Sequence, residues 1–353
     1  NNMVVENIVT YKKEIGKHNL FLTGLYSYQS DSYEEHRTEA SGFPNDVLTW
    51  YQASTGNLIN PSSGYANEDL VSQMVRMNYS FDSRYLLTVT GRRDGFSGFG
   101  SNTKWGLFPS VAVGWNVANE DFFKSDAINE LKIRGSWGQN GNQAVGPYAT
   151  LARLTERSYL NGTMSASGYI PSRLANPDLG WEHSTSMNIG VDFGLLKNRI
   201  TGSIDAFDTY TVDLLLDRQI SSVHGITSIT QNIGETKNRG IELALTTHNV
   251  RTKDFSWTTS GTISLVKNEI VSIYGYLDED GNEIDDLLNR LFIGQPINVN
   301  FGRSIIGTWQ EDDDIANSAQ PDAMPGYAIV LDVNEDGIIN DEDRSAQGQR
   351  YPK

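Results

Sequence analysis

The residues best suited to chemistry lie in an acidic run near the end of the 353-residue chain, DVNEDGIINDED at 332–343. Oxygen-bearing side chains occupy its first, third and fifth positions, glycine the sixth, an apolar residue the eighth and a carboxylate the twelfth, which is the spacing of an EF-hand-like calcium loop. We therefore predict a structural Ca²⁺ site whose ligands are Asp332, Asn334, Asp336, the carbonyl of Ile338, and Asp343. Aspartate at the twelfth position reaches the ion less readily than glutamate, so the predicted affinity is modest. The alternative is a solvated acidic turn without an ion.

The composition excludes several other kinds of site. The chain holds no cysteine, which rules out disulfides, thiolate metal sites and a cysteine nucleophile, and its five histidines are scattered without metal-ligand spacing. Asp and Glu number 44 against 28 Lys and Arg, a net charge of −16, so nucleic acid is not an expected partner. The glycine-rich stretch 95–100 matches neither a nucleophile elbow nor a phosphate-binding loop. We expect a protein that is not an enzyme.

The elements that carry these residues are predicted to be strands, because the dominant period of hydrophobicity is two. From 187 to 195 the odd positions are apolar and the even positions are small or polar, the pattern of a two-faced strand. The longest uninterrupted apolar run, Tyr327 to Leu331, has five residues, whereas a membrane-spanning helix needs roughly 20. About ten strands are predicted between residues 3 and 266, at 3–11, 19–28, 70–81, 84–93, 105–117, 129–139, 181–193, 199–210, 238–248 and 255–266.

Strands and connections together predict a membrane barrel. The predicted strands match the roughly 9–11 residues that cross a bilayer at a tilt. Short turns alternate with long polar connections at 29–69, 94–104, 140–180, 211–237 and 267–353. This alternation places the long connections on one side, as in an up-and-down outer-membrane barrel with short periplasmic turns and long extracellular loops. Aromatic residues near strand ends would form its interfacial girdle, and they are Tyr85, Trp105, Trp115, Trp137, Trp181, Tyr210 and Trp257.

Four groups of motifs make the prediction more specific. The first group consists of RYLLT at 84–88, RRDG at 92–95, FG at 99–100 and KWGLFPS at 104–110. The other three follow in chain order as LKIRGSWGQNGNQ at 131–143, NPDLGWE at 176–182 and NIGETKNRGIE at 232–242. Together these motifs resemble the SusC/RagA type of TonB-dependent outer-membrane transporter, over roughly residues 70–353.

The resemblance implies an all-β fold that is part of a large antiparallel barrel of about 22 strands, plugged by an N-terminal domain. It implies a location in the bacterial outer membrane, among its lipids, and uptake of an oligosaccharide or peptide driven by the TonB complex. A SusD-like surface lipoprotein would enclose the ligand. The ten strands would supply under half of that barrel, and residues 267–353 would form a long extracellular loop. Because the plug, the TonB box and the terminal strands have no counterpart here, we expect residues 1–353 to be part of a longer protein.

Two other classes of protein stay compatible with the periodicity alone. One is a secreted, calcium-dependent β-sandwich that binds carbohydrate, since a sandwich also has one polar face on each strand. The other is a β-rich glycoside hydrolase, which would need an acid and base carboxylate pair in a cleft. Strand length and the asymmetry of the connections favour the transporter barrel over both.

Overall fold

A computed structural model describes residues 1–47, 49–221, 223 and 225–349. Ten strands form one sheet whose order follows the chain: β1 (Asn2–Ile15), β2 (His18–Ser41), β3 (Leu58–Phe81), β4 (Tyr85–Phe96), β5 (Trp105–Asn116), β6 (Ile128–Asn142), β9 (Glu182–Leu195), β10 (Ile200–Gln219), β11 (Ser228–Arg251) and β12 (Ser256–Ser272).

Smaller elements lie in the connections. Three two-stranded sheets pair β7 (Arg153–Asn161) with β8 (Met164–Arg173), β13 (Val299–Arg303) with β16 (Arg344–Gln349), and β14 (Ile305–Thr308) with β15 (Ala328–Val330). Short 3₁₀ helices cover Thr49–Thr55, Val117–Asn119, Ile315–Asn317 and Asp341–Asp343. In the part of the chain that the structure describes, no helix is long and apolar enough to cross a membrane.

The ten predicted strands are all present, but several of their ends were wrong. β2 and β3 pair antiparallel without a break from His18 and Phe81 to Ser41 and Leu58, so most of the predicted loop 29–69 is strand. β10 and β11 likewise occupy much of the connection 211–237. The connections 140–180 and 267–353 contain small sheets of their own. Alternating hydrophobicity reports what each face of a strand contacts, whereas pairing needs only backbone hydrogen bonds, so strands continue where the pattern stops.

The chain packs as two compact units, each with a small core. The first consists of Asn1–Phe123, Arg134–Ser184 and Leu215–Asn232, and the second of Lys124–Ile133, Thr185–Leu214 and the residues from Ile233 onward. The core of the first unit is aromatic and contains Phe96, Phe99, Phe108 and Trp181. In the second unit Ile270, Ile273 and Phe292 are buried. Both cores therefore lie where strands lead into long connections.

The middles of the strands have one exposed apolar face. In the first unit Val9 and Val75 are 72% and 67% exposed. In the second unit Ile189 is 68% exposed, while Asp192, on the opposite face of β9, lies 3.9 Å from the ammonium of Lys132. This is the predicted arrangement, with Met187 and Ile189 on the apolar face and the acidic side chain on the polar one. Such a face requires lipid to cover it, because soluble monomers rarely expose continuous apolar surface.

The substitution Ile189→Arg tests whether this face of β9 contacts lipid. A positive charge facing hydrocarbon near the bilayer midplane costs on the order of 2–4 kcal/mol, so we expect Ile189→Arg to lower the free energy of unfolding in phospholipid vesicles by this amount. Ile189→Leu, which keeps volume and polarity, should unfold like the wild type. Equal stability of the arginine and leucine variants would show that Ile189 does not face lipid.

Candidate functional site

Residues from the four motif groups meet at the loop end of the first unit. Phe99, Gly100 and Thr103 come from the β4–β5 connection, and Asn142 ends β6. Leu179 to Glu182 precede or begin β9, and Asn232 lies in β11. We call this group of residues, together with Phe108, the loop clamp. Far-apart segments of the sequence thus form one site.

The centre of the loop clamp is a set of edge-to-face aromatic contacts. The ring of Trp181 lies 5.1 Å from that of Phe99 and 5.3 Å from that of Phe108, at interplanar angles of 61° and 71°. Phe96 meets Phe99 at 5.2 Å and 77°. Each such pair contributes about 0.5–1.5 kcal/mol beyond the area it buries. The indole Nε1 of Trp181 donates to the carbonyl of Lys104 at 3.0 Å, so the buried ring leaves no polar atom unsatisfied.

Two glycines allow the backbone to approach its neighbours closely in and beside the loop clamp. A Cβ atom on Gly100 would overlap the carbonyl oxygen of Pro177, and one on Gly141 would overlap the ring of Phe108. With hydrogen instead, the N–H of Gly100 donates to the carbonyl of Leu179 at 2.9 Å. Leu179 is fully buried as a result. The close approach of the Pro177 carbonyl and of the Phe108 ring therefore requires glycine at positions 100 and 141.

Polar side chains fix the clamp segments to one another. Asn232 accepts from the N–H of Gly180 at 2.8 Å and donates to its carbonyl at 3.0 Å, replacing a backbone partner on both sides. The hydroxyl of Thr103 donates to the carbonyl of Leu179 at 2.6 Å. Because buried backbone groups must be paired, these side chains hold the non-strand segment 176–181 in place.

Glu182 is the acidic residue of the loop clamp and is almost fully buried. Its Oε2 accepts from the side-chain amide of Asn142 at 2.6 Å, and its Oε1 accepts from the N–H of Leu215 at 3.0 Å. Both carboxylate oxygens are thus occupied by contacts that join three parts of the chain. The loop clamp positions connections and offers no arrangement for nucleophilic or acid–base chemistry among these residues.

Trp181 does not belong to the interfacial girdle, so this part of the sequence prediction was wrong. Only 6% of this residue is exposed, and it belongs to the loop clamp. Tyr85, Trp105, Trp115 and Trp257 are exposed, as an interfacial girdle requires. The sequence could not separate the two roles, because a tryptophan beside a strand end satisfies either.

The acidic loop turns at Gly337, the residue at the sixth position of the motif. Oδ2 of Asp332 accepts from the N–H of Gly337 at 2.8 Å, across the turn. Glu335 and Gly337 have φ of 57° and 81°, so both occupy the left-handed region. Asp343 is fully buried and accepts from the N–H groups of Val333 and Asn340 at 2.9 and 2.7 Å. The first and last predicted ligands therefore belong to one closed turn.

The backbone donors of Asn340 and Val333 hold the pKa of Asp343 below its ordinary value of 3.8. A depressed pKa means that this carboxylate stabilises the loop above the ordinary value, and that the stabilisation is lost as the pH falls through the lower folded value.

The predicted calcium ligands are close in the chain but are engaged with the loop itself. Oδ1 of Asp336 accepts from the N–H of Ile338 at 2.8 Å, and the amide of Asn334 donates to Oδ2 of Asp336 at 3.0 Å. Across the described residues, no three His, Asp or Glu side chains converge in a way that could hold a metal ion. Oδ1 of Asp332 differs from these engaged oxygens, because it is buried and has no hydrogen-bond partner. The calcium site stays a prediction.

A chain-ordered sheet with one exposed apolar face, and loops held together at the strand ends, defines a section of a membrane β-barrel. The family model described as "TonB dependent receptor-like, beta-barrel" matches residues 5–334. The chain belongs to this family, as the motifs predicted, and is an outer-membrane protein.

Curated relatives and solved structures agree with this assignment. TonB-dependent receptor P3 of Formosa agariphila is 34% identical over 99% of this chain and 36% of its own length. TonB-dependent receptor SusC of Bacteroides thetaiotaomicron is 39% identical over 62% of this chain and 22% of its own. The RagAB peptide transporter superposes with a TM-score of 0.78 and 26% identity over 97% of this chain and 36% of that one. The chain spans about a third of the length of such receptors, which are not enzymes.

Gly100→Ala tests the loop clamp. The added methyl group must displace the Pro177 carbonyl, so we expect a loss of about 1–3 kcal/mol in unfolding free energy and faster proteolysis within 97–104 and 174–181. Gly91→Ala is the matched control, because a Cβ there meets nothing within 4 Å. If both alanine variants resist protease equally, the close backbone approach does not hold these loops.

Proposed function

We propose that this chain is part of a receptor that imports an oligomeric nutrient, either an oligosaccharide or a peptide, across the outer membrane. In this proposal the strands form a section of the barrel wall, a SusD-like surface lipoprotein encloses the ligand, and the TonB complex, acting through regions outside these residues, opens the lumen.

The observation that carries the proposal is the match of nearly the whole chain to the RagAB peptide transporter, at a TM-score of 0.78. The relative named SusC supports the same type of complex. The loop clamp adds a physical reason, since a receptor that encloses a large ligand needs its long connections held in a defined arrangement at the barrel end. Membership of the receptor family removes the carbohydrate-binding sandwich and the glycoside hydrolase as alternatives.

Nutrient uptake provides the test. A host strain lacking the receptor gene should lose energy-dependent uptake of one class of labelled oligosaccharides or peptides, and the full-length gene should restore it. Dissipating the proton gradient should abolish the restored uptake. A tagged receptor should also copurify a lipid-modified surface protein. Unchanged uptake of both ligand classes in the deletion strain would contradict the import proposal.

We also propose that the acidic loop binds Ca²⁺ as a structural ion through Asp332, Asn334, Asp336, the carbonyl of Ile338, and Asp343. Oδ1 of Asp332 supports this proposal, because it is buried without a hydrogen-bond donor and a cation would provide its missing partner. The ion would order the loop without taking part in chemistry. An affinity on the order of 10⁻⁴–10⁻³ M, typical of extracellular modules, is expected.

Calcium titration of the full-length receptor tests this site. We expect Ca²⁺ to protect the segment 332–343 from protease and the Asp332→Ala, Asp336→Ala double variant to lose both binding and protection. Glu279→Ala with Asp280→Ala is the matched control, because it removes two carboxylates from another acidic turn. Binding and protection that persist in the double variant would identify a solvated turn.

A further inference from the structure

Aromatic side chains bound the exposed apolar face of β1–β5 at both ends. At the short-turn end, strand register sets side by side four residues that we call the interfacial row, His18, Phe81, Tyr85 and Trp115. Trp105 lies on the same face of β5, ten residues before Trp115. Ten residues span about 33 Å along a strand, or about 25 Å along the membrane normal at barrel tilt, which is the height of a lipid-facing apolar band. The interfacial row therefore lies where the hydrocarbon ends at the short turns.

Phe122, in the connection between β5 and β6, continues the interfacial row beyond the end of the strand. Its ring centroid lies 6.5 Å from that of Trp115, at an interplanar angle of 57°. Because Trp115 lies on the apolar face of β5, this contact places Phe122 on the lipid side of the sheet and not over the polar face. Phe122 is 70% exposed, compared with 48% for Tyr85 and 37% for Trp115. A phenyl ring is therefore exposed beside the interfacial row.

Charged contacts hold the residues before Phe122 against the ends of the strands. Glu120 is buried, and its Oε1 accepts from the indole Nε1 of Trp115 at 2.9 Å. Nη1 of Arg84 donates to Oε2 of Glu120, and Nη2 donates to Oδ1 of Asp121, both at 3.1 Å. Hydrogen bonds to charged groups stabilise more than neutral ones, and the buried carboxylate of Glu120 has both oxygens paired. The two residues before Phe122 are thus fixed to the sheet, and its ring is held beside the interfacial row.

We propose that Phe122 is a membrane anchor that inserts into the lipid–water interface at the short-turn end, held there by the contacts of Glu120 and Asp121 with Arg84. Lipid is the occupant that the geometry supports, because the ring of Phe122 contacts a side chain that the barrel wall presents to lipid. Phenylalanine is among the residues that amphipathic segments bury at the boundary between head groups and acyl chains. The connection after β5 then lies on the membrane surface. The proposal depends on the outer-membrane location of the receptor and not on which nutrient it imports.

Spin labelling of the full-length receptor in phospholipid vesicles, with any cysteine outside residues 1–353 replaced, tests the proposal. Labels are attached to Phe122→Cys, to Val113→Cys on the apolar face of β5, and to Lys17→Cys in an exposed turn. Oxygen, which dissolves in lipid, and a water-soluble nickel complex then compete for each label. We expect the ratio of oxygen to nickel collisions at position 122 to exceed that at position 17 about threefold and to approach that at position 113. Folding of each variant is checked by heat-modifiable migration.

Two results of the labelling would overturn the anchor. A label at position 122 that nickel reaches as readily as the label at position 17 would show a solvated connection. A label that neither oxygen nor nickel reaches would show that protein, and not lipid, covers the ring. A photoactivatable phospholipid provides a measurement that needs no variant, because in the wild type it should crosslink to the segment 119–124, and absence of this crosslink would also contradict the proposal.

Discussion

The approach of Gly100 to the backbone of Pro177 and Leu179 is the contact on which the loop end of the first unit depends. It lets the N–H of Gly100 reach the carbonyl of Leu179 and brings Trp181 between Phe99 and Phe108. From that position the chain enters β9 with Glu182 already joined to Asn142 and Leu215. One missing side chain therefore decides the geometry of three connections, because a Cβ would occupy the space of a carbonyl oxygen.

The location of the two cores follows from the membrane environment. A barrel wall has lipid on one face and the lumen on the other, so a strand in its middle cannot bury side chains against a second layer. Its stability comes from complete pairing of the backbone, since lipid offers no hydrogen bonds. Side-chain packing becomes possible only where connections fold back at the strand ends, and there both aromatic and aliphatic cores are found.

Neighbouring charged side chains have different roles because alternate residues point to opposite faces. Arg92 and Asp94 neutralise each other on the polar face, whereas Arg93, between them, extends over Trp105 on the apolar side. In the second unit Lys267 pairs with Glu269, and Lys237 lies 3.1 Å from Asp208. Arg92 is therefore neutralised within the polar face, whereas the contact of Arg93 is with a neutral ring.

The sequence by itself determined the all-β class, the ten strands in order, their two faces and the family, because alternation and motif spacing are local properties. It also indicated a turn at Gly337 in the acidic loop, where this glycine occupies the left-handed region. Only the tertiary structure decided that Trp181 is buried and not part of the girdle, that β2 and β3 extend to Ser41 and Leu58, and that the four motif groups form one clamp. The physical reason is that these outcomes depend on which residues become neighbours across the sheet, and side-chain type alone does not contain that information.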